Sequence, residues 1–335
     1  MKAAIYKEIG KIEIEEVSNP VLTDDEVLLR VEVVGICGTD IKTYKRGHPL
    51  FRPPCILGHE VVGTVVKVNT VADNELLGRK FAIPPYLGCG ECEFCKKGFS
   101  ELCRNKIWIN GAFVEYLVVP TGLIRRTMAE VDMEINDAIA TLTEPLACVI
   151  HGIERIKPRE QERILVIGAG PMGILASILL RNRNNQVFLS EINENRLALA
   201  QTMKFETINV NMVSLTDFSS KMGKFDHIIV ANDSTDAVIE AFNCVKPGGK
   251  IELFGGMSRS SRLSIDPYYI HYDEIDLIGS FGFSDQDFRN AFQELKIHQN
   301  MYVKLITGEF NLNEIEKAFQ AAANPSNLKI VVRIS

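Results

Sequence analysis

The segment VIGAGPMG, Val166–Gly173, decides how the rest of the chain is read. It spaces Gly168, Gly170 and Gly173 as G-x-G-x-x-G, follows the apolar run RILVIG, and opens a helical stretch, Pro171–Arg181. In that setting each glycine has a task. The first makes a tight turn, the second lets the backbone approach a pyrophosphate, and the third lets helix and strand pack closely. Pro171 and Met172 sit between them, where the free N–H groups of the helix N-terminus face an anion. Glu191 closes the next apolar strand, QVFLSE, and Arg196 lies in the helix that follows. A carboxylate at Glu191 accepts hydrogen bonds from both ribose hydroxyls and repels a 2′-phosphate, which favours NAD over NADP. The cofactor-binding candidates are therefore Gly168, Gly170, Pro171, Met172, Gly173, Glu191 and Arg196.

Outward from this motif the chain divides by style. From Arg163 short apolar strands alternate with helices (RILVIG, QVFLSE, ETINV, HIIVAN, KIELFGG, DLIGSF), the pattern of a parallel, doubly wound sheet. The first third is instead mostly β, rich in β-branched residues at period two, as in EVLLRVEVVG (Glu26–Gly35), VVGTVVKV (Val61–Val68) and GAFVEYLVVP (Gly111–Pro120). EINDAIATLTEPLACVIHGIERI carries helical spacing up to Ile156. Beyond Phe283 the pattern predicts a helix over Asp285–His298, a strand at YVKLI, a helix over Leu312–Ala323 and a final strand, KIVVRI. That β-style ending returns the chain to its first domain.

Composition agrees with two soluble domains. The 335 residues exceed one typical core, 46% are hydrophobic and 24% charged. A net charge of −6, from 37 basic and 43 acidic side chains, argues against a nucleic-acid partner. No uncharged apolar run is long enough to cross a bilayer, so no membrane partner is expected. The start, MKAAIYKEIGKIEIEE, reads as a strand pair rather than a signal peptide, which makes a cytoplasmic location the expectation. A reducing cytosol disfavours a disulfide framework.

Two further clusters carry chemistry. GCGECEFCKKGFSELC, Gly88–Cys103, spaces Cys89, Cys92, Cys95 and Cys103 as C-x2-C-x2-C-x7-C. Four thiolates on such knuckles satisfy tetrahedral zinc and leave no open position, so the metal is structural. An iron–sulfur cluster is the competing metal. A catalytic metal needs an open position, and its candidates are Cys37, His59, Glu60 and Glu144, in GICGTDIKTYKRGHPLFRPPCILGHE and LTEPLAC. Singly, each has an ordinary reading: a buried thiol, a turn histidine, a helix-surface acid. Their joint appearance with a nucleotide motif and a cysteine cage is what counts. Cys55, Cys148 and Cys244 read as packing residues.

CGTD, GHE, the cysteine cage, EPLA, the glycine motif and KPGGKIELFG occur here in that order. In this the chain resembles the zinc-dependent medium-chain alcohol dehydrogenases, polyol (sorbitol) dehydrogenase group, over essentially its whole length. The resemblance implies an α/β protein: a GroES-like β domain formed by residues 1–138 and 285–335, with a doubly wound Rossmann NAD-binding domain, residues 139–284, inserted between. It implies one catalytic and one structural zinc. Cys37, His59 and Glu144 surround the catalytic ion, with Glu60 as a close or exchanging ligand. It implies that Thr39 accepts the alcohol proton while hydride leaves for the nicotinamide of NAD. Lys42 stands where many relatives carry a relay histidine, so either Lys42 or solvent finishes the relay. Asn69 replaces a frequent glycine.

Within that resemblance, the carboxylate at Glu144, where many alcohol dehydrogenases carry cysteine, implies a polyol or sugar alcohol as substrate. The basic stretch Ile41–Arg52, with Lys42, Lys45, Arg46, His48 and Arg52, is either a solvated loop or a grip on an anionic substrate. Oxidation of L-threonine, a hydroxy amino acid, is the second reading. A zinc-free quinone reductase-like protein or a non-catalytic nucleotide binder is the third. The resemblance also implies a homo-oligomer, dimer or tetramer, joined through the sheet edge near Leu277–Phe281.

Overall fold

Gly10, at φ +78°, turns the strand Lys2–Glu8 back onto Lys11–Glu16, so the N-terminal alternation becomes an antiparallel hairpin. The structure is a computed structural model that describes every residue except Asn110 and Ser335. Two compact units emerge: Met1–Ala147 with Phe283–Ser335, and Cys148–Gly282.

In the first unit the strand Glu26–Gly35 is the hub of a six-stranded sheet. It pairs antiparallel with Glu60–Val68, with Tyr116–Pro120 and with the C-terminal strand Lys329–Arg333. The chain end thus returns to the first domain, with Val332 opposite Val34. One apolar core joins both ends: Tyr6, Leu29, Phe81 and Phe113 pack in the same cluster as Phe319 and Val332. Period-two alternation put these side chains on one face, and their burial is what holds the C-terminal segment in place.

YVKLI departs from its expected strand. Tyr302 ends the helix Asp285–Tyr302, Val303–Leu305 is a 3₁₀ turn, and the strand begins only at Ile306, running to Asn311. Tyr302 and Leu305 are both fully buried, so the apolar residues that mimic a strand are three apart and serve a helical turn. The helix expected over Leu312–Ala323 forms as a 3₁₀ turn, Leu312–Glu314, followed by Ile315–Ala322.

The second unit is a six-stranded, all-parallel sheet. Its order is Glu206–Asn209, Gln186–Glu191, Arg163–Ile167, Phe225–Val230, Val245–Leu253, Asp276–Gly279. This is the dinucleotide-binding order, reversing beside Arg163–Ile167, and ligands of such sheets lie outside the C-terminal strand ends at that reversal. The helix Thr143–Ile156 spans the boundary between the units, with Pro145 in its first turn, where a missing N–H costs nothing. Cys244 is buried in the second core, while Cys55 and Cys148 are half-buried. Among the described residues no helix is long and apolar enough to cross a membrane.

Candidate active site

The CGTD motif is a helix start. Cys37 caps the helix Gly38–Arg46: its sulfur accepts from the Thr39 N–H at 3.5 Å, and the Asp40 carboxylate accepts from the Cys37 N–H at 3.0 Å. The sulfur therefore sits at the positive end of a helix. Asp40 is fully buried and reaches a second segment as well, accepting from the Gly58 N–H at 3.2 Å and standing 3.7 Å from His59 Nδ1. One carboxylate thereby fixes the thiol-bearing turn and the imidazole against each other. Burial pushes the Asp40 carboxyl above its ordinary value, and the Glu60 carboxylate adds to this against the pull of His59.

His59 is hydrogen-bonded to the Cys37 side chain and lies within electrostatic reach of Glu144. Burial works against its charged form, yet Asp40, Cys37 and Glu144 outweigh it and hold the imidazole well above 6.5. Thiol and imidazole are thus in contact, with the Glu144 carboxylate within electrostatic reach, in a setting that favours a cation. This donor set suits zinc, and a carboxylate behind a histidine is the usual support for a metal-binding ring. The Asp40 role was missed in the sequence. Its place in the fourth position of CGTD, three residues past a cap, was the available signal.

Glu60 is placed differently from Cys37 and His59. Its side chain is fully buried, and both carboxylate oxygens accept from Lys329 Nζ, at 2.6 and 2.8 Å. Lys329 also donates to the Ile36 carbonyl at 3.3 Å. Burial opposes the ammonium, but Glu60 first, then Cys37 and Glu144, raise Lys329 above its ordinary value. Gly35 makes the room, since a β-carbon there would overlap a Glu60 oxygen. No motif or spacing in the sequence marks Lys329, which lies within the apolar strand Lys329–Arg333.

Thr39 is half-buried in the first turn of the capped helix, and Lys42 is exposed one turn further on. Two other basic residues of this stretch have local tasks. Lys45 donates to the Ala323 carbonyl at 3.2 Å, and His48 Nδ1 accepts from the Leu50 N–H at 3.3 Å. A cleft of about 840 Å³ runs along Leu50, Phe51, Arg52, Cys55 and Lys7, but Cys37, His59 and Glu144 do not line it. Asn69 ties its turn to the Leu22 and Thr23 carbonyls.

The four cysteines converge. The sulfurs of Cys89, Cys92, Cys95 and Cys103 all lie within 4.8 Å of one another, and Cys89 and Cys95 are 3.9 Å apart. Zinc–sulfur bonds of about 2.3 Å give tetrahedral edges of about 3.8 Å, whereas a disulfide needs about 2.05 Å. Cys92 N–H donates to Cys89 Sγ, and the N–H groups of Cys89 and Asn105 donate to Cys103 Sγ, at 3.3–3.4 Å. The N–H groups of Cys92 and Glu91 lower the Cys89 thiol to about 6, and burial pushes Cys95 up to about 12. The residues fit a closed metal cage. Among the described residues this is the one group of three or more ligand-type side chains drawn that close, and Cys37, His59 and Glu144 are not gathered to that degree. A strong chelator is expected to open the segment to trypsin, with first cuts after the exposed Lys96, Lys97 and Arg104, read by mass spectrometry. A digestion pattern indifferent to chelation would contradict the cage.

The glycine motif sits at the end of the strand Arg163–Ile167. Gly168 has φ +110°, and a β-carbon on Gly173 would overlap the Gly168 carbonyl oxygen, so turn and close packing both require glycine. Gly170 caps the helix Pro171–Asn182, with Pro171 at its first position and Met172 half-buried beside it. Glu191 is brought to the same strand ends. Its carboxylate accepts from Ala169 N–H at 2.9 Å, Ile192 N–H at 2.8 Å and Asn193 N–H at 3.1 Å, and Arg196 stands 3.6 Å away. The acid is rigidly aimed, and a guanidinium offsets part of its charge.

Residues 23–127 match the family model of the alcohol dehydrogenase GroES-like domain, and residues 137–334 match that of the glucose dehydrogenase C-terminus. The chain is 28% identical to D-arabinitol dehydrogenase 1 of Uromyces fabae, covering 99% of this chain and 97% of that protein. It is 26% identical to L-threonine 3-dehydrogenase of Yersinia enterocolitica, covering 97% and 99%. It superposes, with a TM-score of 0.89 and 25% identity over 99% of both chains, on the crystal structure of a zinc-binding dehydrogenase from Sinorhizobium meliloti bound to NADP.

Proposed function

The chain belongs to the zinc-dependent medium-chain dehydrogenases, in their polyol-dehydrogenase-like group, and from that premise we propose that it oxidises a secondary alcohol of a polyol or sugar alcohol with NAD. The observation that carries this reading is the buried Asp40, which holds Cys37 and His59 together within electrostatic reach of Glu144. Zinc supplies Lewis acidity towards a substrate hydroxyl, and NAD supplies the hydride acceptor.

The chain's own residues do the rest. Cys37, His59 and Glu144 would hold the ion, Asp40 keeps the imidazole aimed, and Lys329 pairs with both oxygens of the adjacent Glu60. Thr39, two residues past Cys37 and half-buried in the first turn of the capped helix, would take the alcohol proton, and exposed Lys42 or solvent would finish the relay. On the second unit the turn Gly168–Gly173 admits a pyrophosphate, and Glu191 accepts from the ribose hydroxyls. A homo-oligomer through the edge strand Asp276–Gly279 belongs to the same proposal.

The test is a panel of polyols, sugar acids and L-threonine, each with NAD and NADP. Polyol oxidation with kcat/KM at least tenfold higher for NAD than for NADP is expected, because the Glu191 carboxylate repels a 2′-phosphate. Preferred turnover of L-threonine, the substrate in the name of relatives at 26% identity, would replace the polyol reading. A reversed nucleotide preference would assign the ribose site to Arg196.

A further inference from the structure

Glu252 lies in the strand Val245–Leu253 and exposes none of its surface. Its Oε1 accepts from Ser280 Oγ at 2.7 Å, while Oε2, equally buried, has no hydrogen-bond partner among the described residues. The helix Thr143–Ile156 comes down on this carboxyl at Gly152, where a β-carbon would overlap Oε1. The neighbouring strands present Ile229 and Ile278 at the paired positions. The ionisable groups facing Glu252 are therefore His151 and Arg155 of the helix, with the Ser280 hydroxyl as a neutral donor from the adjacent strand's end.

An apolar side chain would serve the packing better. A buried carboxyl with an unpartnered oxygen destabilises the fold relative to an isoleucine like its two neighbours. What the acid adds is a hydrogen bond to Ser280 and a charge that can change. Burial raises its proton affinity to about 7, against Ser280, His151 and Arg155, which favour the anion. Because the folded-state value lies above the ordinary 4.5, the acid's contribution to stability is complete below about 4.5 and is lost as pH rises through about 7.

Its position connects this to ligand binding. Glu252 and Ser280 stand at the C-terminal ends of adjacent parallel strands, on the same side of the sheet as the glycine motif and one and two strands beyond Phe225–Val230. The loop after Glu252 is packed backbone to backbone, since Gly255 N–H donates to the Val230 carbonyl at 2.9 Å and a β-carbon there would overlap the Asn232 carbonyl. A charge created at so buried a position is screened much less than a surface charge and acts on an anion bound along the same strand ends.

We propose that Glu252 couples its own protonation to dinucleotide binding: as a neutral acid it lets the anionic nucleotide seat at the strand ends, and as a carboxylate it opposes it. The inference rests on the dinucleotide reading above. Ionisation breaks the carboxyl O–H bond and releases the proton to solvent, and nucleotide binding takes it back. Binding and protonation are reciprocal, so NADH affinity falls as pH rises through neutrality, and NADH binding near pH 7.5 draws in a proton.

The experiment measures the NADH dissociation constant by fluorescence from pH 6 to pH 8.5 for wild type and Glu252→Gln, an isostere that stays neutral. Wild-type affinity is expected to weaken about tenfold over this range, while Glu252→Gln stays tight and flat. Infrared spectra of the unliganded wild type should show a protonated-carboxyl band at pH 6 that fades by pH 8.5 and is absent from Glu252→Gln. Ser280→Ala, which removes the donor that favours the anion, should move the midpoint to higher pH. Equal pH dependence in wild type and Glu252→Gln, no protonated band at pH 6, or an unmoved midpoint in Ser280→Ala overturns the inference and leaves the dinucleotide site standing. Failure of wild type to bind NADH or NADPH at any pH removes the dinucleotide reading itself, and the coupling with it.

Discussion

Replacing Lys329 with methionine is expected to destabilise the protein by about 3–5 kcal/mol, because it strands the fully buried Glu60 carboxylate without its counter-charge. The loss is not that of a surface ion pair. Both side chains are excluded from water, the ammonium reaches both carboxylate oxygens, and the two residues lie 269 positions apart in sequence. Methionine fills much of the lysine stem's volume, so cavity formation is a minor part of the change. Pairing Lys329→Met with Glu60→Gln removes the buried charge and should recover more than half of the loss. Denaturant unfolding of the single and double variants checks this through their midpoints at unchanged slope. A single variant within 1 kcal/mol of wild type would show that the pair does not hold the C-terminal strand.

Cys37→Ser is expected to lower kcat/KM by on the order of 10³-fold, the equivalent of about 4 kcal/mol of lost Lewis-acid assistance. Metal content should fall from about two zinc ions per chain to about one, since the four-sulfur cage is independent of this site. Melting temperature should change little, because Cys37 is half-buried and outside the main core cluster, and serine caps a helix at least as well as cysteine. Elemental analysis and steady-state kinetics on one preparation read both outcomes. Unchanged activity with both metals retained would remove Cys37 from the centre and undo the open-site reading. Loss of both metals would show that the two sites are not independent.

Parts of this molecule were legible residue by residue. Gly168, Gly170 and Gly173 announce themselves because a turn, a backbone approach and a tight helix–strand contact are each made within six positions. The cysteine cage is readable for the same reason: Cys89, Cys92 and Cys95 are close in space because they are close in sequence. Period-two patterning placed the strands, and it misled at YVKLI, where Tyr302 and Leu305 are buried on a helical turn.

Spacing determined the doubly wound sheet, the sulfur cluster and the β-rich first unit, while Cys37, His59 and Glu144 were marked as a set by their resemblance to a family rather than by their spacing. Only the tertiary structure decided how those residues are held. Asp40 turns out to join Cys37 to His59, Lys329 from the last strand neutralises Glu60, and Glu252 is pressed beneath Gly152. The reason is physical. Short-range motifs are set by backbone geometry that recurs wherever the local chain repeats, whereas the partner of a buried charge is chosen by packing between segments that sequence distance does not relate.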